Sequence, residues 1–222
     1  MTTNGFRSLT EYQQLNKSEM RNRAAEFYAH MRRRRTLREF SDQSVDRRII
    51  KDCLRTAGTA PSGANQQPWK FVVVSDPVVK KQIRESAEKI ETDFYQKDST
   101  AAWRTVLKKL KTGPSKPFLE TAPYLIVIFS ERYSYDQKGK KMKHYYVSES
   151  VGIATGMLIT ALHHAGLVSL TYTPASMHFL NTILSRPANE KPYMILVVGY
   201  PSDTAWLPEL QKKTLTDIAV FI

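Results

Sequence analysis

The segment TAPSGANQQPWKFVVVSDP, at residues 59–77, joins three local signals in one continuous run. Its opening is rich in small residues, prolines and side-chain amides, and it is longer than a single turn between a helix and a strand requires. Lys70 to Ser75 is then a β-branched run bounded by turn residues, which predicts a strand buried on both faces. Asp76 and Pro77 predict the start of a helix, because proline is tolerated in the first helical turn.

On both sides of this segment, helical and strand patterns alternate. Upstream, Asp46 precedes the helical pattern RRIIKDCLRTA, and Gly58 is placed to end that helix. Downstream, three apolar runs predict strands, at residues 124–129, 168–173 and 194–198. Residues 134–143 are polar and predict an exposed loop. The chain has no internal repeat and no low-complexity linker, so a single α/β or α+β domain is the simplest organisation.

Two further segments complete this organisation. Residues 1–17 predict an irregular N-terminal arm, and a helix with Ser18 as its expected N-cap then opens a domain of residues 18–222. The segment from Val147 onward carries apolar residues on all sides. That pattern predicts a central helix buried nearly all round.

The composition is that of a soluble globular protein with a strongly basic surface. Of 222 residues, 41% are hydrophobic and 24% are charged, and 33 Lys and Arg against 21 Asp and Glu give a net charge of +12. Such a charge attracts anions in general, from nucleic acids and anionic lipids to phosphorylated small molecules. No segment of signal-peptide or membrane-anchor type occurs, so we expect a cytoplasmic protein that is not bound to a membrane.

Several familiar catalytic signatures do not occur. The chain has no GxGxxG or GxxxxGK[ST] phosphate-binding motif, no GxSxG nucleophile motif and no HExxH zinc motif. Its one cysteine, Cys53, excludes an intrachain disulfide, and the apolar neighbours of Cys53 favour a small buried hydrophobe over a reactive thiol. The five histidines show no ligand spacing, so we expect no metal site.

The densest positive charge in the sequence is the run from Arg32 to Arg35, followed by Arg38. The run is consistent with a solvated basic face or a nucleic-acid patch, although nucleic-acid binding normally adds aromatic stacking groups or a recognition helix. It is also consistent with a site for a phosphate dianion, which forked guanidinium groups bind through bidentate, charge-assisted hydrogen bonds. The spacing alone leaves both interpretations open.

Several longer segments together resemble a known family. RRRRTLREFSDQSV at residues 32–45 and the segment at 59–77 are similar to the opening of the FMN-dependent nitroreductase superfamily. The later segments resemble its iodotyrosine deiodinase branch: ETDFY (91–95), WRTVLKKLK (103–111), FLETAPYLIVIF (118–129), HYYVSESVGIATGMLITALHHAGLVSLTYTP (144–174) and LSRPANEKPYMILVVGYP (184–201). The resemblance runs in consistent order through most of the chain.

This resemblance implies a fold, a cofactor and a quaternary structure. The fold would be an α+β, nitroreductase-like α-β-α sandwich with a central, mostly antiparallel sheet. The cofactor would be FMN, bound at two sites in the interface of an intertwined homodimer. A substrate lid would fall around residues 91–117. The electrons would come from NAD(P)H or from a separate reductase.

The same resemblance implies a set of cofactor-binding residues, with cations for the phosphate and small or hydroxyl-bearing residues for the flavin. The set is Arg34, Arg35, Thr36, Arg38, Ser62, Gly63, Thr171, Tyr172, Thr173 and Lys212. Lys213, next to Lys212, leaves the register of that last contact open. The Thr173 hydroxyl would hydrogen-bond flavin N5 and favour one-electron steps; a strand threonine chosen for β-propensity is the alternative. The loop amides Asn65, Gln66 and Gln67 would bond either the flavin or the loop backbone.

The substrate implied by the resemblance is a halotyrosine. Glu91, Tyr95 and Lys116 would clamp its amino-acid group, and a carboxylate with an ammonium is the minimal complement to a free amino acid. Glu91 and Tyr95, at i and i+4, share one helix face. The Ala64 backbone N–H would meet the phenolate oxygen. The implied reaction is reductive dehalogenation, from iodotyrosine to tyrosine and iodide, with Thr173 and Ala64 closest to the chemistry.

Two alternatives accompany this hypothesis. Within the same superfamily, the protein could be a general FMN nitroreductase or a flavin-fragmenting enzyme, and the set Glu91, Tyr95 and Lys116 argues against both. From a different class, a basic nucleic-acid-binding protein would use the arginine run without a flavin. On balance we expect a halotyrosine as the ligand, and neither nucleic acid nor a membrane as a partner.

Overall fold

A computed structural model describes residues 2–3, 5–97, 100, 105 and 112–222 of the chain. The chain divides into two compact units, Met1–Arg34 and Arg35–Ile222. Within the expected lid, residues 98–99, 101–104 and 106–111 lie outside the described part.

The first unit contains a short strand pair and one helix. Strands β1 (Thr2–Thr3) and β2 (Phe6–Arg7) pair antiparallel, and helix α1 covers Lys17–Met31. The expectation that Ser18 caps this helix is wrong. The Asn16 side chain accepts a hydrogen bond from the Glu19 N–H at 2.9 Å and caps the helix instead. Helix α1 belongs to the first unit, whereas the sequence predicted a division at residue 17.

The second unit is built on a four-stranded sheet. Its strands are β3 (Trp69–Val74), β4 (Tyr124–Glu131), β7 (Val168–Tyr172) and β8 (Glu190–Gly199), and their order is β3-β4-β8-β7. Each neighbouring pair is antiparallel, which confirms the expected mostly antiparallel sheet. The register places Val127 of β4 between Val72 of β3 and Ile195 of β8. The two longest strands, β4 and β8, therefore lie at the centre.

The helices of the second unit pack on both faces of this sheet or follow it in the chain. They are α2 (Arg47–Gly58), α3 (Pro77–Lys97), α4 (Phe118–Thr121), α5 (Val147–His164), α6 (Phe179–Ile183) and α7 (Leu215–Ile218). Helices α2 and α5 pack together, and α3 packs against α4 and α6. A 3-10 turn covers Gly63–Asn65 in the loop between α2 and β3.

Strand β4 shows why the helices form two layers. Successive side chains of a strand point to opposite faces of the sheet. Leu125, Val127 and Phe129 join the core that includes α3, whereas Ile126 and Ile128 join the core that includes α2 and α5. These five side chains are fully buried, because β4 has a strand on each side and a helical layer on each face. This arrangement confirms the expected α-β-α sandwich.

Three expectations about burial or local structure are wrong. Strand β3 lies at the edge of the sheet, so within it only Val74 is buried. The polar segment 134–143 forms most of a hairpin, with strands β5 (Tyr133–Tyr135) and β6 (Lys141–Lys143), instead of a loop. Helix α5 is buried along one face only, and Ile153 on the opposite side is 46% exposed. An apolar helix face therefore remains uncovered within the single chain.

Two further findings bear on the class of protein. Within the described ranges, no helix combines the length and the apolar character needed to cross a bilayer, and no group of three His, Cys, Asp or Glu side chains could hold a metal ion. Cys53 is buried on α2, as its apolar neighbours predicted. Burial, and then the charge of Asp52, raises the pKa of its thiol.

Candidate functional site

A buried ion pair joins helix α3 to the segment that precedes α4. The Nζ atom of Lys116 lies 3.1 Å from Oε2 of Glu91, and Lys116 is 3% and Glu91 7% exposed. Charged side chains are almost never buried this deeply unless they are paired. Both residues were predicted to bind a substrate's amino-acid group, and we call them, together with Tyr95, the clamp.

Helix α3 places Glu91 on its buried stripe. The buried residues of this helix recur at helical spacing and are Lys80, Ile83, Ala87 and Glu91. Tyr95 follows Glu91 by one turn, and its hydroxyl donates to the Thr112 carbonyl at 3.5 Å. Burial, and then the Glu91 carboxylate, raises the pKa of Tyr95. Its hydroxyl therefore stays protonated at neutral pH and can act as a donor.

A second carboxylate fastens the Lys116 segment to α3. Oε1 of Glu88 accepts hydrogen bonds from the Lys116 N–H at 2.6 Å and from the Ser115 hydroxyl at 3.3 Å. Arg84 pairs with Glu88 at 3.6 Å and with Glu120 at 2.9 Å. Sequence reasoning missed Glu88, although its position three residues before Glu91 on the same helix was an available signal.

Two tyrosine rings flank the ammonium group of the clamp. Nζ of Lys116 lies 5.9 Å from the ring centroid of Tyr95 and 5.7 Å from that of Tyr172, and it also donates to the Gly113 carbonyl. Contacts of this kind contribute roughly 0.5–2 kcal/mol, and more when water is excluded. The structure thus brings the three predicted clamp residues together and adds Tyr172 to them.

Tyr172, the last residue of β7, connects the clamp to the predicted flavin residues. Its ring is buried and packs edge-on against Phe118, with 5.7 Å between the centroids. Thr171 and Thr173 on either side are exposed, because successive residues of an extended chain face opposite ways. Thr173 is therefore one residue away from a ring that contacts Lys116. A flavin on the face of Thr171 and Thr173 would meet the Tyr172 backbone, not its ring.

The loop that opens the segment 59–77 has an uncommon backbone conformation. Ala64, Asn65 and Gln67 have φ angles of 49°, 53° and 48°, in the left-handed region that non-glycine residues seldom adopt. The Ser62 hydroxyl accepts a hydrogen bond from the Gln67 N–H at 2.9 Å and stabilises this path. Such conformations persist where the surroundings fix them, and they are concentrated at functional sites.

Gly63 and Gln66 fix this loop against the turn before helix α5. A Cβ atom on Gly63 would lie 2.9 Å from Cδ2 of Tyr146 and 3.0 Å from the Tyr145 carbonyl oxygen, so the close approach requires glycine. The Gln66 side chain accepts from the Tyr145 N–H at 2.7 Å and donates to the Lys143 carbonyl at 3.3 Å. The Gln66 side chain therefore bonds backbone groups of residues 143 and 145, outside its own loop. Contact of the loop amides with a flavin stays a prediction.

A second group of predicted residues is cationic and lies beside β7. A parallel bridge pairs Thr36 with Ser169, so the chain from Arg35 to Arg38 runs next to that strand. Arg35 donates to the Pro208 carbonyl. Arg38 is half-buried and has no hydrogen bond or ion pair from its side chain to the residues described, and burial lowers the pKa of its guanidinium.

An uncompensated, half-buried guanidinium favours an anionic ligand, and its planar fork suits a phosphate. We call Arg35, Thr36 and Arg38 the phosphate cluster. Two other residues were predicted to bind the phosphate: Arg34, which is the last residue of the first unit, and Lys212, which is an exposed residue of the C-terminal segment. Their contact with a phosphate stays a prediction.

Comparison with known sequences identifies the family. The sequence model of the Nitroreductase family matches residues 31–200. An iodotyrosine deiodinase of Haliscomenobacter hydrossis is 48% identical over 207 residues, which are 93% of this chain and 93% of that protein. Iodotyrosine deiodinase 1 of Homo sapiens is 47% identical over 205 residues, which are 92% of this chain and 71% of the human protein.

Solved structures show the same relationship. A crystal structure of an oxidized iodotyrosine deiodinase bound to FMN and 3-iodo-L-tyrosine has a TM-score of 0.76 and 32% identity, and the match covers 88% of this chain and 100% of that one. A BluB-like flavoprotein of Clostridium difficile has a TM-score of 0.67 and 21% identity, over 88% and 98% of the two chains. This second likeness concerns the fold alone.

Proposed function

The chain belongs to the nitroreductase family, and we propose that it is an FMN-dependent oxidoreductase of the iodotyrosine deiodinase type, which converts iodotyrosine to tyrosine and iodide. Relatives that carry this name match 93% of the chain in one case and 92% in another. Within the molecule, the observation that carries the proposal is the buried pair of Glu91 and Lys116.

The pair is complementary to a free amino acid. The substrate ammonium would form an ion pair with the Glu91 carboxylate, and the substrate carboxylate would form one with the Lys116 ammonium. Because the amino-acid group has no net charge, the total charge of the buried site would not change. This exchange avoids leaving an uncompensated charge in a region from which water is excluded. A nitroaromatic compound without an amino-acid group could not replace the ion pair between Glu91 and Lys116 with two new ion pairs.

The phosphate cluster fits FMN, because Arg38 lacks a counter-ion and a phosphate dianion would provide one. The proposed FMN contacts are Arg34, Arg35, Thr36, Arg38, Ser62, Gly63, Thr171, Thr173, the backbone of Tyr172, and Lys212. When bound, FMN supplies the electron pair that reductive dehalogenation consumes. Among the protein groups, the Thr173 hydroxyl is the proposed hydrogen-bond partner of flavin N5.

The reaction balances with one proton and one electron pair from outside the substrate. The C–I bond breaks, iodide leaves with the bonding electrons, and the ring carbon gains the proton and the supplied electron pair. The residues of the chain bind and orient the substrate for this step. We assign the phenolate oxygen to the Ala64 backbone N–H, on the loop with left-handed φ angles, and the exclusion of water to closure of the lid around 91–117.

We also propose a homodimer with shared active sites. Large apolar side chains are exposed on three parts of the chain: Phe27 (55%) and Tyr28 (67%) on α1, Ile153 (46%) on α5, and Phe221 (86%) near the C-terminus. A second copy of the chain packed against these side chains would remove their apolar surface from water. We place the enzyme in the cytoplasm, with NAD(P)H or a separate reductase as the source of electrons.

Turnover of 3-iodotyrosine by the FMN-loaded protein tests the proposal, with iodide and tyrosine as the measured products. We expect both products from the wild-type protein and neither from Glu91→Gln or Lys116→Ala, although both variants should still bind FMN. Reduction of a nitroaromatic compound without any iodide release would instead identify a general nitroreductase. Unchanged deiodination in the two variants would show that the clamp is assigned wrongly.

A further inference from the structure

Tyr172 carries a buried hydroxyl that the proposed reaction does not use. The residue is 8% exposed, and its hydroxyl makes no hydrogen bond of acceptable geometry within the described part of the chain. A buried hydroxyl without a partner is unfavourable. Phenylalanine would keep the edge-on packing against Phe118 without this cost. The hydroxyl therefore points to a partner that becomes available in another state of the site.

The groups around this hydroxyl are mostly acidic. Burial, and then the charge of the Glu91 carboxylate and a hydrogen-bond contact with it, raise the pKa of Tyr172 well above its usual range, with smaller contributions from Glu88 and Tyr95. The contact with Glu91 falls outside the geometry of a regular hydrogen bond, so the hydroxyl is near its acceptor but poorly aligned with it. The cation in the same cluster is Lys116, whose Nζ lies 5.7 Å from the Tyr172 ring centroid. The hydroxyl thus stays protonated at neutral pH, and it can donate a hydrogen bond to a carboxylate close by.

In the proposed function, Glu91 exchanges its partner when a substrate binds. Its carboxylate pairs with Lys116 at 3.1 Å. When Lys116 turns to the substrate carboxylate, Glu91 keeps only the incoming ammonium and remains buried. A buried carboxylate has several acceptor positions to satisfy, and one donor does not satisfy them. The Tyr172 hydroxyl is in hydrogen-bond contact with Glu91 but is not well aligned while Lys116 holds the carboxylate, so it is the donor available to complete the contact.

We propose that Tyr172 is a positioning residue of the clamp, whose hydroxyl donates to the Glu91 carboxylate in the substrate complex and directs it toward the substrate ammonium. This inference rests on the proposed function, because it takes Glu91 and Lys116 as the two halves of an amino-acid site. It makes Tyr172 a determinant of affinity for substrates whose carboxylate draws Lys116 away from Glu91.

The test uses Tyr172→Phe, which removes only the hydroxyl. Binding to the FMN-loaded protein is measured by calorimetry for 3-iodotyrosine, for 3-iodotyramine, which lacks the carboxylate, and for 3-(3-iodo-4-hydroxyphenyl)propanoate, which lacks the ammonium. We expect affinity to fall about tenfold or more for 3-iodotyrosine and for the propanoate, whose carboxylates draw Lys116 away from Glu91, since a hydrogen bond to a charged group is lost. Affinity for 3-iodotyramine should change little, because Lys116 stays paired with Glu91. An equal loss for all three compounds, or an unchanged affinity for 3-iodotyrosine, would overturn the proposal.

A double-variant cycle with 3-iodotyrosine gives a second readout that does not depend on weak analogues. In a Glu91→Gln background, Tyr172→Phe should weaken binding by much less than it does in the wild-type protein, because its charged partner is gone. In turnover, Tyr172→Phe should raise KM by a larger factor than it lowers kcat. Independent, additive effects of the two substitutions would show that the hydroxyl does not act through Glu91.

Tyr124→Phe is the matched control. Its hydroxyl, on β4 of the same sheet, donates to the Val45 carbonyl at 3.3 Å and makes no contact with the clamp. This control should lower the melting temperature and leave ligand affinity unchanged, whereas Tyr172→Phe should leave the melting temperature unchanged or raise it. A lower melting temperature for Tyr172→Phe than for the control would show that its hydroxyl has a structural role in the free protein.

The outcomes separate this inference from the proposed function. Wild-type protein that binds 3-iodotyrosine but releases no iodide would refute the function and leave the binding test of Tyr172 valid. Wild-type protein that deiodinates normally, with unchanged affinity in Tyr172→Phe, would refute the inference alone.

Discussion

The clamp and the phosphate cluster differ in whether their charged side chains are paired within the protein. In the clamp, Glu91 and Lys116 neutralise each other at 3.1 Å, and both are buried. In the phosphate cluster, Arg38 is half-buried, and its side chain has no anionic partner in the ranges that the structure describes. The first site is electrostatically complete by itself, whereas the second carries an uncompensated charge that a bound anion would neutralise.

This difference matches the two kinds of ligand. A substrate enters and leaves in every catalytic cycle. When it leaves, Glu91 and Lys116 can pair with each other again, so neither charge stays buried without a partner. A resident cofactor stays bound, so the cation that binds its phosphate requires no anionic side chain to neutralise it. We therefore expect FMN to stabilise the fold strongly and the substrate to exchange with an existing ion pair at little cost in charge.

The largest expected effect follows from removing one partner of the clamp. Lys116→Met leaves the buried Glu91 without its cation, which should lower the free energy of unfolding by about 3–5 kcal/mol. The double variant Glu91→Gln with Lys116→Met removes both charges and should recover most of that loss. Chemical denaturation of the FMN-loaded proteins measures both values.

Iodotyrosine binding gives the control for this experiment, since the double variant should bind none despite its recovered stability. A double variant that is as unstable as the single variant would contradict the account of the clamp as a self-neutralised pair.

Cofactor removal should have the next largest effect. At a free FMN concentration of about 100 Kd, the holoprotein should be more stable than the apoprotein by about 2.7 kcal/mol. Riboflavin, which lacks the phosphate, should stabilise much less at the same concentration because it leaves Arg38 uncompensated. Thermal unfolding with either compound tests this point, and equal stabilisation by both would argue against the phosphate cluster.

Arg38→Ala should weaken FMN binding by about 10- to 100-fold, because it removes a charge-assisted contact to the phosphate. Arg47→Ala, at an exposed position at the start of α2, is the control with the same loss of charge. Fluorescence titration of the apoproteins with FMN measures both affinities. Similar losses in the two variants would mean that overall charge, and not a specific site, holds the phosphate.

The smallest expected effect concerns the loop that contains Gly63. Gly63→Ala should lower stability by about 1–3 kcal/mol, since its Cβ would lie 2.9 Å from the Tyr146 ring and 3.0 Å from the Tyr145 carbonyl oxygen. Gly58→Ala, within α2 and with nothing inside 4 Å, should raise stability by about 0.5–1 kcal/mol. Thermal melts of both variants measure the difference, and a neutral Gly63→Ala would refute the tight packing of this loop.

The apolar runs of the sequence located the strands of the sheet, among them β4 and β8, but left α/β and α+β both open. The family resemblance, and not the strand period, predicted the antiparallel sheet and its two helical layers. Sequence reasoning failed where the outcome depends on neighbours. The β-branched run of β3 has the composition of a central strand, yet β3 lies at the edge. The apolar back of α5, with Ile153, looked buried because residue types alone do not show which surface of a chain stays uncovered.

The candidate site shows the same limit. Sequence segments located Glu91, Tyr95 and Lys116 through a family resemblance, but no pattern indicated that Glu91 and Lys116 pair with each other. Tyr172 was assigned to the flavin by its position next to Thr173, whereas the strand alternation turns its ring toward the clamp. That outcome depends on which face of β7 meets α3 and α4, and this is a property of the packed fold.

The most direct test of the central claim is a single turnover without oxygen. FMN-loaded protein is reduced with dithionite, freed of excess reductant and mixed with 3-iodotyrosine, while flavin absorbance, iodide and tyrosine are followed together. We expect iodide and tyrosine to appear in equal amounts as the flavin is reoxidised, and no iodide from Glu91→Gln. Flavin that stays reduced in the presence of 3-iodotyrosine, with no iodide from the wild-type protein, would contradict the account.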